Sequence, residues 1–305
     1  MNNKKAAIWK GIIAANLLAL VCLGATTALL KMSTGEPGML ILSEFVILPM
    51  IMGIVNAYFW RSHGVTAGPS FGYGFLNLII SLVLSAFFMG EGVNCLIIVA
   101  PLIYTFLMLG ILFGHYMFKR NKNTLNIGIL AVFMSVFVAN LAMTSPSDGL
   151  ATDKIVIKAS PEKVWQNVVS FPAIDAEPTY WLFKIGLPSP VQSVAEGNYV
   201  GASRQCIFSN GAVFEERIVE YEPNKKLTFE ITKQPDDPEI IGHLNLLKGQ
   251  FILEDNGDGT TTLIGNSWYD LKIKPSQYFD VWTQSVIRNV HVVVMEHIKQ
   301  LSEQA

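Results

Sequence analysis

Most side chains that could transfer protons or bind anions lie in the second half of this chain. General acid–base and nucleophilic chemistry require groups whose surroundings tune their pKa. The candidates are Arg204, Glu215, Glu216, His243, Tyr269, His291 and His297. Which of them could act together depends on which share a face of a strand or helix.

An acid/base pair is the minimum that an enzyme would need here. Glu215 and Glu216 are neighbours on a predicted strand, Ala212–Glu220, and neighbouring side chains on a strand point to opposite faces. Only one of them can face the interior, and the sequence leaves open which one. His291 lies among valines on a long predicted helix, where it either lines a cavity or is satisfied in the core or at the surface. Glu215 or Glu216 with His291 is therefore the candidate catalytic pair.

Ligand contacts are predicted from one arginine and a set of aromatic residues. Arg204 shares a strand face with Cys206 and Phe208. If that face points inward, the guanidinium could pair with a carboxylate or bind an anionic head group, whereas an outward face would be solvated. The predicted ligand-binding residues are Trp165, Trp181, Arg204, Phe229, Trp268, Tyr278, Trp282 and His291. Aromatic residues at this spacing form either a cavity wall or a core.

Several familiar motifs are excluded by their context. The run Gly68–Gly72 fits the G-x-S-x-G pattern, but no strand precedes it to form a nucleophile elbow. Asp255–Gly259 lacks the acid spacing of a calcium loop and is a predicted hairpin turn. The three cysteines form no CxxC or Cys/His cluster, so the sequence predicts no metal site, and it carries no cofactor signature.

The composition changes sharply near residue 144. Residues 1–143 are almost unbroken hydrophobic runs with 8 of the 22 Lys and Arg and 3 of the 24 Asp and Glu, a formal charge of +5. The remaining residues have the composition of a water-soluble domain and a formal charge of −7. An acidic domain argues against nucleic acid as a partner, because nucleic-acid binding needs a clustered basic surface.

Five hydrophobic runs are long enough to cross a bilayer, which takes about 20 helical residues. They are Ile12–Leu30, Met39–Trp60, Phe71–Met89, Val93–Phe118 and Leu125–Met143. With five spans, seven of the eight basic residues fall on one side and only Lys31 on the other. The positive-inside rule then predicts an integral protein of the plasma (inner) membrane with a cytoplasmic N-terminus and an extracytoplasmic C-terminal domain.

The pattern predicts two domains joined by a linker: a five-helix transmembrane region at 1–143, a polar linker at 144–153 and a globular domain at 154–305. In the globular domain the sequence predicts a strand, a helix, six strands and then a long helix, Ser276–Leu301. Short turns between consecutive strands imply an antiparallel meander. An α+β fold follows, in which a curved antiparallel sheet wraps the long C-terminal helix and leaves an interior cavity.

Three segments carry a family resemblance. Ile155–Trp165 (IVIKASPEKVW), Glu220–Leu227 (EYEPNKKL) and Gly257–Thr261 (GDGTT) resemble, in order and spacing, the START-like or SRPBCC superfamily, whose members have the helix-grip fold. The polyketide cyclase/dehydrase and lipid-transport group is the most similar, and the resemblance spans residues 152–303. It implies a hydrophobic cavity that holds a lipid or another apolar small molecule. The hydrophobic N-terminal half departs from the free-standing form of this family.

Three functions are compatible with this layout. The first is a membrane-anchored module that binds a lipid or hydrophobic small molecule, with the bilayer as a second partner. The second is an enzyme, such as a cyclase, dehydratase or hydrolase, acting on a lipid-like substrate in the same cavity. The third is a structural or sensor subunit whose interior is filled by side chains. An inward acid/base pair would favour the second, and a packed interior would favour the third.

Overall fold

The structure is a computed structural model that describes residues 2–34, 42–63, 65–120, 135, 147–239 and 243–304. The chain divides into two units, of which the first is formed chiefly by Met1–Ser145 and the second by Pro146–Lys272 with Ser276–Ala305. The first unit is helical and the second contains a sheet. They are described separately below.

The described helices of the first unit differ in length. They are α1 (Asn2–Thr34), α2 (Leu42–Phe45), α3 (Ile47–Trp60), α4 (Ala67–Met89) and α5 (Val93–Arg120). Within the described residues, three segments are long and apolar enough to cross a membrane: Asn3–Ala28, Gly68–Phe88 and Val93–Lys119.

The prediction of five transmembrane helices is therefore not supported. The run expected at Met39–Trp60 contains the short helices α2 and α3, and the 14 residues of α3 are fewer than a membrane-spanning helix needs. The run expected at Leu125–Met143 lies outside the described residues except for Ser135.

Close packing of α3 against α5 organises the first unit. A Cβ atom on Gly53 would lie 2.2 Å from the carbonyl oxygen of Leu107, and one on Gly110 would lie 2.2 Å from that of Met50. Glycine is therefore required at both positions, because the two backbones touch, as at helix crossings in membranes. Large apolar side chains such as Val21 and Phe87 point outward. Such exposed apolar faces are typical of surfaces that contact lipid or protein.

The second unit is one antiparallel sheet with a long helix. Among residues 147–239 and 243–304 its elements are β1 (Ser147–Ile157), α6 (Pro161–Trp165), α7 (Trp181–Lys184), β2 (Pro190–Ala195), β3 (Ser203–Phe208), β4 (Val213–Glu222), β5 (Lys226–Lys233), β6 (Leu244–Asp255), β7 (Thr261–Leu271) and α8 (Ser276–Glu303). The strand order is β1-β7-β6-β5-β4-β3-β2. The sheet curls into a half-barrel with the C-terminal helix, as predicted, and this arrangement fits a helix-grip fold.

Three turns between strands form at glycine or asparagine, and one of them is the predicted hairpin turn Asp255–Gly259. Gly211, Asn224, Gly257 and Gly259 all have φ between 62° and 85°, the left-handed conformation that glycine and asparagine adopt most easily. These turns close the hairpins β3–β4, β4–β5 and β6–β7. Each strand from β2 to β7 pairs with its neighbour in sequence. The first strand, β1, then pairs with β7 along its full length, from Ser147 with Leu271 to Ile157 with Thr261.

The first strand begins earlier than the sequence indicates. The alternating pattern starts at Lys154, but β1 begins at Ser147 and includes most of the predicted linker. The ring of Tyr269 lies over Gly149, where an added Cβ would come within 2.2 Å of the ring. Gly149, which the sequence pattern places in a loop, thus lies inside a strand, where its lack of a side chain allows the close contact with Tyr269.

The core of the second unit lies between the sheet and α8. Fully buried side chains include Ile157, Ile218, Leu227 and Leu263 from the strands and Ile298 from α8. Along β4 and β7, buried residues alternate with more exposed ones, as expected of a sheet with one buried face. The same inner face continues into the cavity described next.

Candidate functional site

A cavity of about 90 Å³ lies between the inner face of the sheet and α8. Its aromatic walls are Phe171, Phe208, Phe214, Phe229 and Phe251. Its polar side chains include Arg204, Cys206, Glu216, Ser267 and His291. An apolar pocket with a few convergent polar groups is the usual form of a small-molecule site.

One end of the polar wall is a buried ion pair. Arg204 on β3 and Glu216 on β4 are direct cross-strand partners, and the guanidinium Nη1 donates to the Glu216 carboxylate. The Arg204 Nε donates to the Val169 carbonyl oxygen at 2.9 Å, and the guanidinium carbon lies 4.4 Å from the centre of the Phe229 ring. A buried charge is tolerated only when it is paired in this way. Burial raises the pKa of Glu216, and Arg204 opposes that shift.

Cys206 lies beside this pair on the same strand face as Arg204. Burial, together with the Glu216 charge, raises the pKa of the thiol to about 12, against an opposing effect of Arg204. A thiol with so high a pKa carries almost no thiolate at neutral pH and is a poor nucleophile. Cys206 therefore acts as a wall residue.

The other end of the polar wall is a chain of hydrogen bonds through His291. The His291 Nε2 lies 2.8 Å from the Ser267 Oγ, and its Nδ1 lies 2.9 Å from the Asp153 Oδ2. These residues come from α8, β7 and β1. Arg288 lies near the same carboxylate, with its Nε 4.0 Å from the Asp153 Oδ1. Both imidazole nitrogens are thus held by partners on different elements.

The environment of His291 favours its neutral form. The imidazole is buried, and burial lowers its pKa despite the opposing effect of Asp153, while Arg288 lowers it further. A carboxylate can only accept, so the proton of the neutral ring is assigned to Nδ1 and the Ser267 hydroxyl donates to Nε2. His291 is then an unprotonated base at its Nε2 position near neutral pH.

Three of the predicted ligand-binding residues line this cavity: Arg204, Phe229 and His291. Glu216 lines it as well. Glu215 points to the opposite face, where Lys233 Nζ lies 3.3 Å from its carboxylate. Of the two candidate pairs, only Glu216 and His291 therefore share the cavity.

The other predicted ligand-binding residues lie elsewhere. Trp165 is in the core, with its Nε1 donating to the Tyr221 hydroxyl at 3.3 Å. Trp268 lies under Lys248, whose Nζ is 4.2 Å from its ring. Trp181 and Trp282 contact each other edge to face, with ring centres 6.4 Å apart. Tyr278 packs edge-on against Phe279.

The remaining titratable candidates are held by their own partners. The Tyr269 hydroxyl donates to Asp280, and the Nε2 of His297 is 3.2 Å from the Pro172 carbonyl oxygen. His243 is buried, and its carbonyl oxygen accepts from Lys272. In the part of the chain that the structure describes, no group of three or more His, Cys, Asp or Glu side chains could hold a metal ion.

Sequence reasoning missed two residues of the His291 cluster. The sequence predicts that Asp153 lies in the linker, because the polar run around it resembles a loop. Ser267 lies in β7, and its alternation with Leu263 and Tyr269 could place it on the inner face from sequence alone. The alternation does not show which helix residue it meets.

The sequence matches no protein-family model and no curated protein. Solved structures resemble the C-terminal half of the chain and are of the Bet v1-like, SRPBCC type. A protein from Nitrosospira multiformis is 18% identical with a TM-score of 0.34, and the alignment covers 50% of this chain and 94% of that one. Norcoclaurine synthase from Thalictrum flavum, in complex with dopamine and hydroxybenzaldehyde, is 11% identical with a TM-score of 0.35, covering 52% and 87%. A Mesorhizobium loti protein is 19% identical with a TM-score of 0.35, covering 52% and 98%.

Proposed function

We propose that this protein is a membrane-anchored binding module for a hydrophobic small molecule or lipid, whose apolar end enters the cavity between the sheet and α8. The observation that carries the proposal is the phenylalanine-walled cavity with a paired charge set into its wall. A core filled only by side chains would leave no such space.

The size of the cavity limits what enters it. Its volume of about 90 Å³ is below the roughly 300–1,000 Å³ of sites for drug-sized ligands. It is also below the roughly 150 Å³ of an engineered cavity that binds benzene. The ligand part that enters without rearrangement is therefore a short acyl chain, and a larger group, an aromatic ring included, has to displace side chains.

The ion pair gives the cavity a polar anchor. Both Arg204 and Glu216 face the space and are held by their neighbours, so a ligand group that reaches them meets oriented hydrogen-bonding partners. An anionic or carbonyl group would pair with Arg204, for which a guanidinium is well suited. The expected ligand is therefore apolar with one polar end.

The apolar helices supply the anchor. Three described segments can span a bilayer. The distribution of basic residues favours a cytoplasmic N-terminus only if two further segments also cross it, so the orientation proposed here depends on five spans. An apolar ligand concentrates in the bilayer, so a cavity tethered there meets it at a high effective concentration. We propose the plasma membrane as the location and place the second unit on its extracytoplasmic side.

Two valines on α8 provide a matched test. Val290 lines the cavity, whereas Val292 is 46% exposed and does not. Val290→Phe fills the cavity, and Val292→Phe adds the same ring at the surface. Mass spectrometry of organic extracts from full-length protein should detect a stoichiometric apolar compound in the wild type and in Val292→Phe. Val290→Phe should lose it while retaining its circular dichroism spectrum.

Two results would contradict the proposal. One is a wild-type extract with no compound above the background of the detergent and the host lipids. The other is equal retention by a folded Val290→Phe protein, which would place the bound compound outside this cavity.

A further inference from the structure

The strongest unassigned feature of the cavity is the chain of hydrogen bonds from Ser267 through His291 to Asp153. The two distances, 2.8 Å and 2.9 Å, join a hydroxyl, an imidazole and a carboxylate in that order. Three separate elements supply these residues, so the arrangement depends on the fold and not on local sequence. A nucleophile, a base and a group that orients the base are the parts of a nucleophilic acyl-transfer site.

We propose that Ser267 is an activated nucleophile and that the second unit hydrolyses small apolar carboxylic esters, with His291 as the general base and Asp153 as the residue that positions it. The substrate enters the same cavity as in the proposed function. Esterase activity does not require that a ligand remain bound during purification. The binding function and the esterase activity can therefore be disproved separately.

The direction of the hydrogen bonds is the one that this chemistry needs. The carboxylate of Asp153 accepts from the imidazole Nδ1–H, which leaves Nε2 free to accept the Ser267 proton. Burial keeps the imidazole neutral and therefore able to take up that proton. A buried histidine that only joined α8 to the sheet could make the same contacts, so chemical reactivity has to distinguish the two roles.

The position of the cluster gives a substrate access to it. Ser267 and His291 both line the phenylalanine-walled cavity. An ester carbonyl next to Ser267 would place its acyl or alcohol group among those rings. The small volume favours short acyl chains.

The reaction proceeds in two balanced steps. The Ser267 Oγ bonds to the carbonyl carbon of the ester as its proton moves to the His291 Nε2, and the ester C–O bond then breaks as the alcohol leaves with that proton. A water molecule next gives a proton to His291 and bonds to the acyl carbon. The bond to Ser267 breaks, the serine regains its proton, and the carboxylic acid leaves.

Methanesulfonyl fluoride, whose methyl group suits the small cavity, tests the nucleophile directly. The Ser267 Oγ would form a bond to sulfur, the S–F bond would break, and fluoride would leave while His291 takes the proton. Peptide mapping of the full-length protein in detergent should locate the adduct on Ser267. His291→Gln and Asp153→Asn should each lower the labelling rate more than about 100-fold. Ser203→Ala removes an exposed serine of β3 and should leave the rate unchanged.

The pH profile separates a positioning role of Asp153 from a structural one. Asp153 raises the pKa of His291, so Asp153→Asn should shift the midpoint of the residual labelling rate to lower pH. The other charged groups are Arg288 on α8 and, in the cavity wall, Arg204, Glu216 and Lys248, and all remain in place in this variant. A lower rate with an unmoved midpoint would contradict the positioning role.

A cysteine at position 267 gives a second test of the site. Ser267→Cys places a thiol beside His291, which should yield a thiolate at neutral pH. Iodoacetamide should then modify residue 267 at pH 7 at least about 100-fold faster than it modifies Cys206, whose pKa is about 12. Equal rates in folded protein, or no sulfonyl adduct on wild-type Ser267, would overturn the proposal.

Hydrolysis of 4-nitrophenyl acetate, butyrate and octanoate identifies the substrate class. Activity that falls with chain length and is absent in His291→Gln would support a site for short acyl groups. Activity on all three that persists in His291→Gln would overturn it.

Discussion

Arg204 and Glu216 form an ion pair whose side chains are only 3% and 4% exposed. They face each other directly across β3 and β4, so the register of two neighbouring strands determines the pair. Each charge compensates the burial of the other, and both stand in the wall of the cavity. The polar end of the site is therefore part of the framework of the sheet.

Removing one member of this pair should destabilise the protein strongly. Arg204→Met or Glu216→Met leaves an uncompensated buried charge, which costs about 3–5 kcal/mol in known cases. The double variant should cost less than either single one, because no charge remains. Denaturant unfolding of the four proteins gives the coupling free energy. Lys233→Met provides the control, because it breaks a neighbouring surface pair with Glu215 that is worth less than about 1 kcal/mol. Single variants no less stable than this control would contradict the prediction.

Gly249 sets the position of the Phe229 ring. A Cβ atom at Gly249 would lie 2.5 Å from Phe229 Cζ, and this ring both lines the cavity and contacts Arg204. Gly249→Ala should therefore force the ring to move and destabilise the protein by about 1–3 kcal/mol. Adding Phe229→Leu should recover part of the lost stability, because the smaller side chain avoids the collision with the new Cβ atom. Thermal unfolding of the three variants measures the effect, and additive losses would contradict this account.

The strands and turns of the second unit can be predicted from the sequence, because they depend on residues that are close together along the chain. Alternation could show that Glu215 and Glu216 point to opposite faces, but only the contact with Arg204 selects Glu216 as the inner one. The start of β1 was missed because Gly149 reads as a loop residue, and its use depends on Tyr269, distant in sequence.

Partners distant in sequence also explain the incomplete prediction of the site. Asp153, Ser267 and His291 meet only after β1 pairs with β7 and α8 packs across both. The contact between Trp181 and Trp282 arises in the same way. In the first unit, Met39–Trp60 is one continuous hydrophobic run in the sequence. Hydropathy alone cannot show that α2 ends and α3 begins within it.

Cys206 should resist alkylation in the folded protein. Its pKa of about 12 means that almost no thiolate is present at pH 8. Iodoacetamide followed by peptide mass spectrometry should therefore modify Cys206 slowly in native protein and rapidly in denaturant. Rapid modification of native protein would show that the cavity wall is more open and more polar than its geometry implies.

The orientation of the second unit can be tested with reporter fusions. Seven of the eight basic residues of the hydrophobic half fall on one side if there are five spans, which predicts an extracytoplasmic C-terminus. Alkaline phosphatase fused after Ala305 should then be active, and a fluorescent protein at the same position should be dark. The opposite pattern would indicate an even number of spans and a cytoplasmic domain.

His291 should make the stability of the second unit depend on pH in the mildly acidic range. Its pKa is lowered in the folded protein from about 6.5, so at a pH just below 6.5 the unfolded chain binds a proton that the folded one does not. Stability from this group is therefore complete above pH 6.5 and falls as the pH decreases towards the folded pKa. The free energy of unfolding should decrease between pH 7 and pH 5 in the wild type, and His291→Gln should lose part of this decrease. Asp153 and Arg288, the charged groups nearest the ring, stay unchanged in that comparison. An identical pH dependence in the two proteins would mean that the imidazole is solvated and titrates normally, and the case for a neutral base beside Ser267 would then be lost.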